Sequence, residues 1–326
     1  MSHKLLLIVT ILILHVVLPC TASPGDVQKE GKVAFLQGTE IWTAKADGSD
    51  LRQLTNDGLK KGPPLWSPDG TKIAYHRWFG FGQKPMAEIV VITARGEQVQ
   101  SIPVFSGHLI NTFEDMAWLD NYRIGYDGHI NPSLGEYRIV DIKSGKQVGS
   151  HLGAGFKWSP DKKKLAQFGL IVHFAPAATQ NDSVQINGRT VYSLPKDTLK
   201  HYVKSDLTWS PSSQHLAFIE SHEDTQKNIL IILAEGNKEL AWELPAELKG
   251  IQHIEWLDEE TLLLREFNLA YLEGPMWKFD WTKRQLELLD MAAKKSLVAG
   301  LLKDSAEREQ LVQRLGGRDP DWWFAK

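Results

Sequence analysis

Three stretches of this chain repeat one pattern, and that pattern limits the fold more than any other feature. Pro64-Leu65-Trp66-Ser67-Pro68-Asp69-Gly70 leads into Ile73-Ala74-Tyr75. Phe156-Lys157-Trp158-Ser159-Pro160-Asp161 leads into Leu165-Ala166, and Leu207-Thr208-Trp209-Ser210-Pro211 leads into Leu216-Ala217-Phe218. Each is an apolar segment ending in Trp, then a Ser-Pro turn, then an apolar segment containing Ala. Proline presets φ for the second position of a turn and stops the preceding strand. Asp69 and Asp161 can hydrogen-bond their own backbone, and Gly70 accepts positive φ. Two looser copies are Met116-Ala117-Trp118-Leu119-Asp120-Asn121, before Arg123 to Tyr126, and Ile254-Glu255-Trp256-Leu257-Asp258-Glu259, before Leu262 to Leu264. The five Trp stand 52, 40, 51 and 47 residues apart. A period of 40–50 residues with several short strands per unit is the signature of propeller blades.

Two more strand signals follow each Trp copy. Glu88 to Ile92 and Val99 to Val104 follow Trp66, and Tyr137 to Ile142 and Lys146 to Leu152 follow Trp118. Ser183 to Ile186 and Thr190 to Leu194 follow Trp158, Asn228 to Leu233 and Leu240 to Leu244 follow Trp209, and Met276 to Trp281 and Gln285 to Leu289 follow Trp256. Arg95-Gly96, Ser144-Gly145, Asn187-Gly188 and Gly236-Asn237 mark hairpins between these pairs. An incomplete unit opens the series, with strands at Val33 to Leu36, Ile41 to Ala44 and Leu51 to Thr55. Its missing strand is expected from residues 26–32 or from the far end of the chain, closing the ring so that no long sheet edge is exposed. The expected fold is all-β: a six-bladed β-propeller over residues 30–290 with a short helical C-terminal extension. The five Trp are read as packing between neighbouring sheets.

Ile41-Trp-Thr-Ala-Lys-Ala-Asp-Gly-Ser-Asp-Leu-Arg-Gln-Leu-Thr55, followed by Trp66 to Gly70 and Ile73 to Tyr75, resembles the WD40-like propeller repeat of TolB and related periplasmic proteins. The resemblance covers residues 30–290 and implies the fold. Binding proteins, sugar lyases and non-catalytic domains of prolyl peptidases share this repeat, so it does not fix a function. TolB also carries an N-terminal α/β domain, for which Ala22 to Val33 leaves no room.

Lys4, the apolar run from Leu5 to Leu18, and the small residues Cys20 and Ala22 read as a signal peptide over residues 1–22, cut after Ala22. The run is short for a membrane span, which needs about 20 apolar residues. This places the protein in the periplasm or outside the cell, with no membrane span after cleavage. A competing reading acylates Cys20, the single cysteine, as a lipid anchor. Pro19 and Leu18 stand where that motif prefers a small residue just before the Cys. A net charge of −3 gives no basic field for nucleic acid.

Residues 291–326 read as a tail: two short helices, Met291 to Leu302 and Ser305 to Leu315, then Asp319-Pro-Asp-Trp-Trp-Phe324. The aromatics are expected either to dock on the propeller or to tag a partner. The sequence has no G-x-S-x-G elbow, H-E-x-x-H zinc motif, C-x-x-C pair or P-loop. His76, His129 and His173, with Asp127, lie at or near the second strands of their units and are weighed as funnel metal ligands. Their offsets differ, and metal motifs have fixed short spacing. Asp47 to Asp50 and Asp120-Asn121 read as turns rather than calcium loops. Asn181-Asp182-Ser183 matches a glycosylation sequon, relevant only in a eukaryotic secretory host. No catalytic, cofactor or metal residue is assigned. The expected function is non-catalytic: a propeller binding a protein or cell-envelope partner through loops on a rigid scaffold. The alternative is a propeller-type polysaccharide lyase or hydrolase with a metal in its funnel.

Overall fold

A computed structural model describes residues 31–80, 87–104, 116–127, 135–170, 181–194, 201–203, 205–222, 225–234, 237–248, 250–266 and 274–324. The proposed signal segment with Cys20, and also His129 and His173, lie outside the described residues.

The sheets are antiparallel and mostly follow chain order. The second blade runs Lys60–Lys61 and Leu65–Trp66, Lys72–Trp78, Ala87–Thr93, Gln98–Val104. The fifth runs His201–Val203 and Thr208–Trp209, His215–His222, Lys227–Ala234, Asn237–Glu243. The sixth runs His253–Trp256, Thr261–Arg265, Met276–Asp280, Gln285–Leu288. Between the second and fifth blades lies one sheet of seven strands: Ala117–Trp118, Arg123–Asp127, Gly135–Asp141, Lys146–Trp158, Leu165–Leu170, Asn181–Ile186, Arg189–Ser193.

That sheet is two blades joined without a loop. Tyr137 pairs with His151, so a straight strand would carry Trp158 about 23 Å away, at 3.3 Å per residue. The Tyr137 and Trp158 rings are instead 5.9 Å apart. The strand therefore folds back at Gly153-Ala154-Gly155 and comes down as the first strand of the fourth blade. Gly155 has φ +61°, and a Cβ there would lie 2.4 Å from the Phe168 ring, so only glycine fits this reversal.

The first blade is assembled from both ends of the described chain. Its order is Arg318–Phe324, Gly31–Gln37, Glu40–Lys45, Arg52–Gln53. The missing strand thus comes from the far end, and six blades account for the described strands. Asp321 and Trp322 pair with Ala34 and Val33, as Leu65 and Trp66 pair with Ala74 and Ile73. Pro320-Asp321-Trp322 therefore occupies the place of Pro64-Leu65-Trp66: the terminal segment is a sixth copy of the unit, and its backbone is a strand rather than a docked or free tag.

The Trp set the blade-to-blade register. Trp66, Trp118, Trp209 and Trp256 are buried between sheets. The indole N–H groups of Trp118, Trp209 and Trp256 donate to the carbonyls of Leu65 (2.9 Å), Lys157 (3.0 Å) and Thr208 (3.2 Å). Each acceptor immediately precedes the Trp of the blade before. The Trp66 backbone N–H donates to the Asp321 carboxylate at 2.5 Å, fastening the first blade to the second. Turns add rim contacts: the Asp69 N–H donates to Asn121 Oδ1 (3.0 Å) and the Asp161 N–H to Ser213 Oγ (3.1 Å).

The seam between the sixth and first blades is built differently. One helix, Met291–Arg314, covers it where the sequence suggested two; Asp290 caps its start by accepting the Ala293 N–H. Ala293 and Leu297 pack on Leu263, Met276 and Leu289 of the sixth blade. Val312 and Leu315 pack on Val33, Phe35 and Ala44 of the first. These are the faces opposite those that meet the fifth and second blades.

Candidate functional site

The two ends of the blades differ. At one end the strands join through two to six residues: the Ser-Pro turns and the short hairpins. Those turns are self-bonded. Ser67 Oγ donates to Asp69 Oδ1 (2.6 Å) and accepts the Lys72 N–H (2.9 Å), and Ser159 repeats this with Asp161 and Lys164. Asp47 accepts the Ser49 N–H, and Asp120 accepts the N–H groups of Tyr122 and Arg123, which makes both turn residues. At the other end residues 79–86, 105–116, 171–180 and 266–275 are longer connections between strands, although Gly38-Thr39 joins two strands there by two residues.

Ionisable groups collect at this second end, in the junction between the first and second blades. Lys61 ends the short strand Lys60–Lys61 of the second blade, and its side chain is 0% exposed. Its ammonium donates to Glu40 Oε2 (3.0 Å), to Asp57, and to the carbonyls of Thr39 and Leu59 (3.1 Å each). Arg77, near the end of the second strand, donates to Asp57 Oδ2 (2.6 Å) and through Nε to Glu88 Oε1 (2.7 Å). Glu88 also accepts from Ser101 Oγ, and Glu40 from Thr55 Oγ (2.6 Å) and the Gly58 N–H (2.7 Å).

Strand alternation explains the gathering. Tyr75 and Arg77 share one face of their strand, and Glu88, Val90 and Ile92 share one face of the next. Ile73, Tyr75, Val90 and Ile92 form the apolar part of the junction with Ala34, Leu36, Ile41 and Trp66, and the charged set continues it outward. Burial works to raise the Glu40 and Asp57 carboxyls. Hydrogen bonds from Thr55 and Lys61 to Glu40, and from Lys61 and Arg77 to Asp57, outweigh it and hold both below the usual carboxylate range. Three carboxylates are each committed to a cation. That arrangement fixes geometry and supplies no poised acid, base or nucleophile.

A smaller set sits in the junction of the fourth and fifth blades. Glu220 is buried, accepts from Tyr192 Oη at 2.5 Å, and lies 2.7 Å from His222 Nε2. Burial first, then Glu220, push the Tyr192 hydroxyl well above its ordinary range.

His76 is on the strand face that carries Ala74 and points to the third blade. Gly62 makes room for it, since a Cβ there would lie 1.8 Å from the ring. Burial, with the nearby Lys60 charge, lowers its pKa to about 4, so the imidazole is neutral at physiological pH. Asp127 ends the second strand of the third blade. Among the described residues no group of three or more His, Cys, Asp or Glu comes together to hold a metal ion. Asn181 begins the third strand of the fourth blade. The ionic junction was not foreseen. Its five charged residues come from four strands and one connection, and no sequence motif spans them.

No protein-family model and no curated protein matches the sequence. Solved structures do. Dipeptidyl peptidase 4 of Porphyromonas gingivalis has a TM-score of 0.54 at 11% identity, covering 82% of this chain and 45% of that chain. The β-propeller domain of the Trilobed protease from Pyrococcus furiosus has a TM-score of 0.48 at 14% identity, covering 79% and 81%. TolB from Acinetobacter baumannii has a TM-score of 0.35 at 15% identity, covering 79% and 63%. This chain thus spans less than half of the peptidase. No helix of the described residues is long and apolar enough to cross a membrane. Sheet topology, the recurring Trp units and the likeness to the peptidase chain establish a β-propeller fold.

Proposed function

We propose that the chain is a non-catalytic binding module of the cell envelope, engaging a protein or envelope partner through the end of the propeller that carries the long connections. One observation carries this reading: the two ends are unequally built. One end has short, self-bonded turns, and the other has connections of up to twelve residues and the ionic junction of Lys61 and Arg77. Variable loops on a fixed scaffold are where binding residues concentrate. The committed state of every acid in that junction favours binding over catalysis. The apolar run ahead of Ala22 supports export, and N-terminal sequencing of protein recovered from the periplasm tests it directly.

The binding test is cross-linking capture from envelope extract with two variants. Lys60→Glu with Phe79→Ala alters exposed residues at the long-connection end, whereas Lys143→Glu with Lys283→Glu alters the turn end. A partner lost only in the first variant supports the reading. Loss only in the second moves the contact to the turn end, and no partner with either removes the binding role.

A further inference from the structure

A second site lies at the opposite end of the propeller, in the junction of the fourth and fifth blades. There the sheets part around a crevice of about 590 Å³, within the size range of small-molecule sites. Ile186 and Val191 of the fourth blade and Trp209 and Leu233 of the fifth supply its apolar walls. Lys164, Asn187, Arg189 and Gln214 complete the lining. Among the described residues that line it, two are cations and none is an acid.

The polar groups are held in place. Lys164 Nζ lies 5.7 Å from the Trp209 ring centroid and donates to the Ser213 carbonyl at 3.0 Å. An ammonium has three donors, so this bond leaves others for a ligand. Asn187 sits at φ +51° ahead of Gly188 in a tight hairpin, and its Oδ1 accepts the Leu165 N–H at 2.9 Å. Arg189 is exposed beside it. Among the described residues neither Lys164 nor Arg189 is ion-paired to a carboxylate. Elsewhere on this face cations do have acids: Lys283 pairs with Asp280 at 2.6 Å and Arg123 with Asp120 at 2.7 Å. An apolar cleft bordered by two such cations is complementary to a ligand with an apolar body and one anionic end.

We propose that this crevice binds a small amphipathic monoanion, its apolar body against Trp209, Val191 and Leu233 and its anionic group between Lys164 and Arg189. The site is independent of the partner-binding end.

Isothermal titration of the full chain with 2-naphthoate tests it, with 2-naphthylmethanol as the neutral counterpart. Saturable one-to-one binding is expected, with naphthoate about tenfold tighter than the alcohol, the scale of one charge-assisted contact. Arg189→Glu should erase that preference. Val191→Trp should abolish binding of both probes by filling the crevice, and Arg284→Glu, at a comparable hairpin of the sixth blade, should change nothing. Circular dichroism and thermal midpoints of each variant separate loss of the site from loss of the fold; if Val191→Trp misfolds, Arg189→Glu carries the test. Absence of saturable naphthoate binding, equal affinity for the alcohol, or binding indifferent to Arg189→Glu overturns the proposal.

Discussion

Lys61 is the residue on which the first junction turns. Its ammonium is sealed from solvent, and truncating it leaves Glu40 without its cation while Asp57, whose side chain is 30% exposed, keeps Arg77. Losing charge-assisted hydrogen bonds to partly exposed carboxylates that keep other donors costs about 1–3 kcal/mol. Lys61→Ala should lower the unfolding free energy by that order in urea titration, and adding Glu40→Gln with Asp57→Asn should restore much of it. His76 gives the pH counterpart. Its folded pKa of about 4 lies below the ordinary 6.5, so its contribution is present above pH 6.5 and is lost as pH falls toward 4. A shift of that size corresponds to up to about 3 kcal/mol. Glu40 and Asp57 act in the same direction at lower pH, across the carboxylate range. Stability should therefore fall on acidification from about pH 6.5 to 5, above most of the carboxylate titration. His76→Gln should flatten that slope relative to wild type. An unchanged slope would mean that the ring is solvated.

At the scale of elements, the Trp-bearing strands do two tasks: the ring fills the space between sheets, and the N–H fixes the register of neighbouring blades. Trp118→Phe keeps most of the first and removes the second, leaving the Leu65 carbonyl without that donor. It should cost about 1–3 kcal/mol by chemical denaturation, against about 3–5 kcal/mol for Trp118→Ala. Five units were legible in the sequence because each carries its own strand, turn and strand within a dozen residues. The sixth is legible in part, as three strands between Val33 and Thr55 with the far end as one of two expected sources of the fourth, but its Trp322 copy is hidden for two physical reasons. The helix Met291–Arg314 stretches the interval from Trp256 to Trp322 to 66 residues, and the strand after Trp322 is supplied by the other end of the chain. Pro320-x-Trp322 was the available signal. The helix itself reads as two because Asp304 or Ser305 looks like the cap of a second one, and its interior also carries Gly300. Isolated glycine costs about 1 kcal/mol in a helix, which packing of both ends on two blades can offset. The ionic junction was illegible because Glu40, Asp57, Lys61, Arg77 and Glu88 read singly as surface residues, and only blade packing brings them together.

For the whole molecule, the consequence is that the C-terminal strand belongs to the structure and is not an appendage. Removing residues 318–326 would strip the Gly31–Gln37 strand of its partner, release the Trp66 N–H from Asp321 and expose a sheet edge. A partner lost on such truncation would report unfolding, so the capture experiment uses point variants instead. Connectivity and strand content can be separated. Gly31 pairs with Phe324, so the two chain segments meet at one end of the first blade. Placing residues 318–326 directly ahead of Gly31, with the chain ending at Gly317, would turn that pairing into a hairpin closed by Ala325-Lys326. This permutant should unfold cooperatively, with a thermal midpoint within several degrees of the parent chain, whereas simple deletion of 318–326 should give a broad transition or aggregation. If both unfold alike and early, the helix and its link to the sixth blade, rather than the strand, hold the ring together. Val312→Asp, which puts a charge into the apolar contact with Val33 and Phe35, would then reproduce the defect with every strand still present.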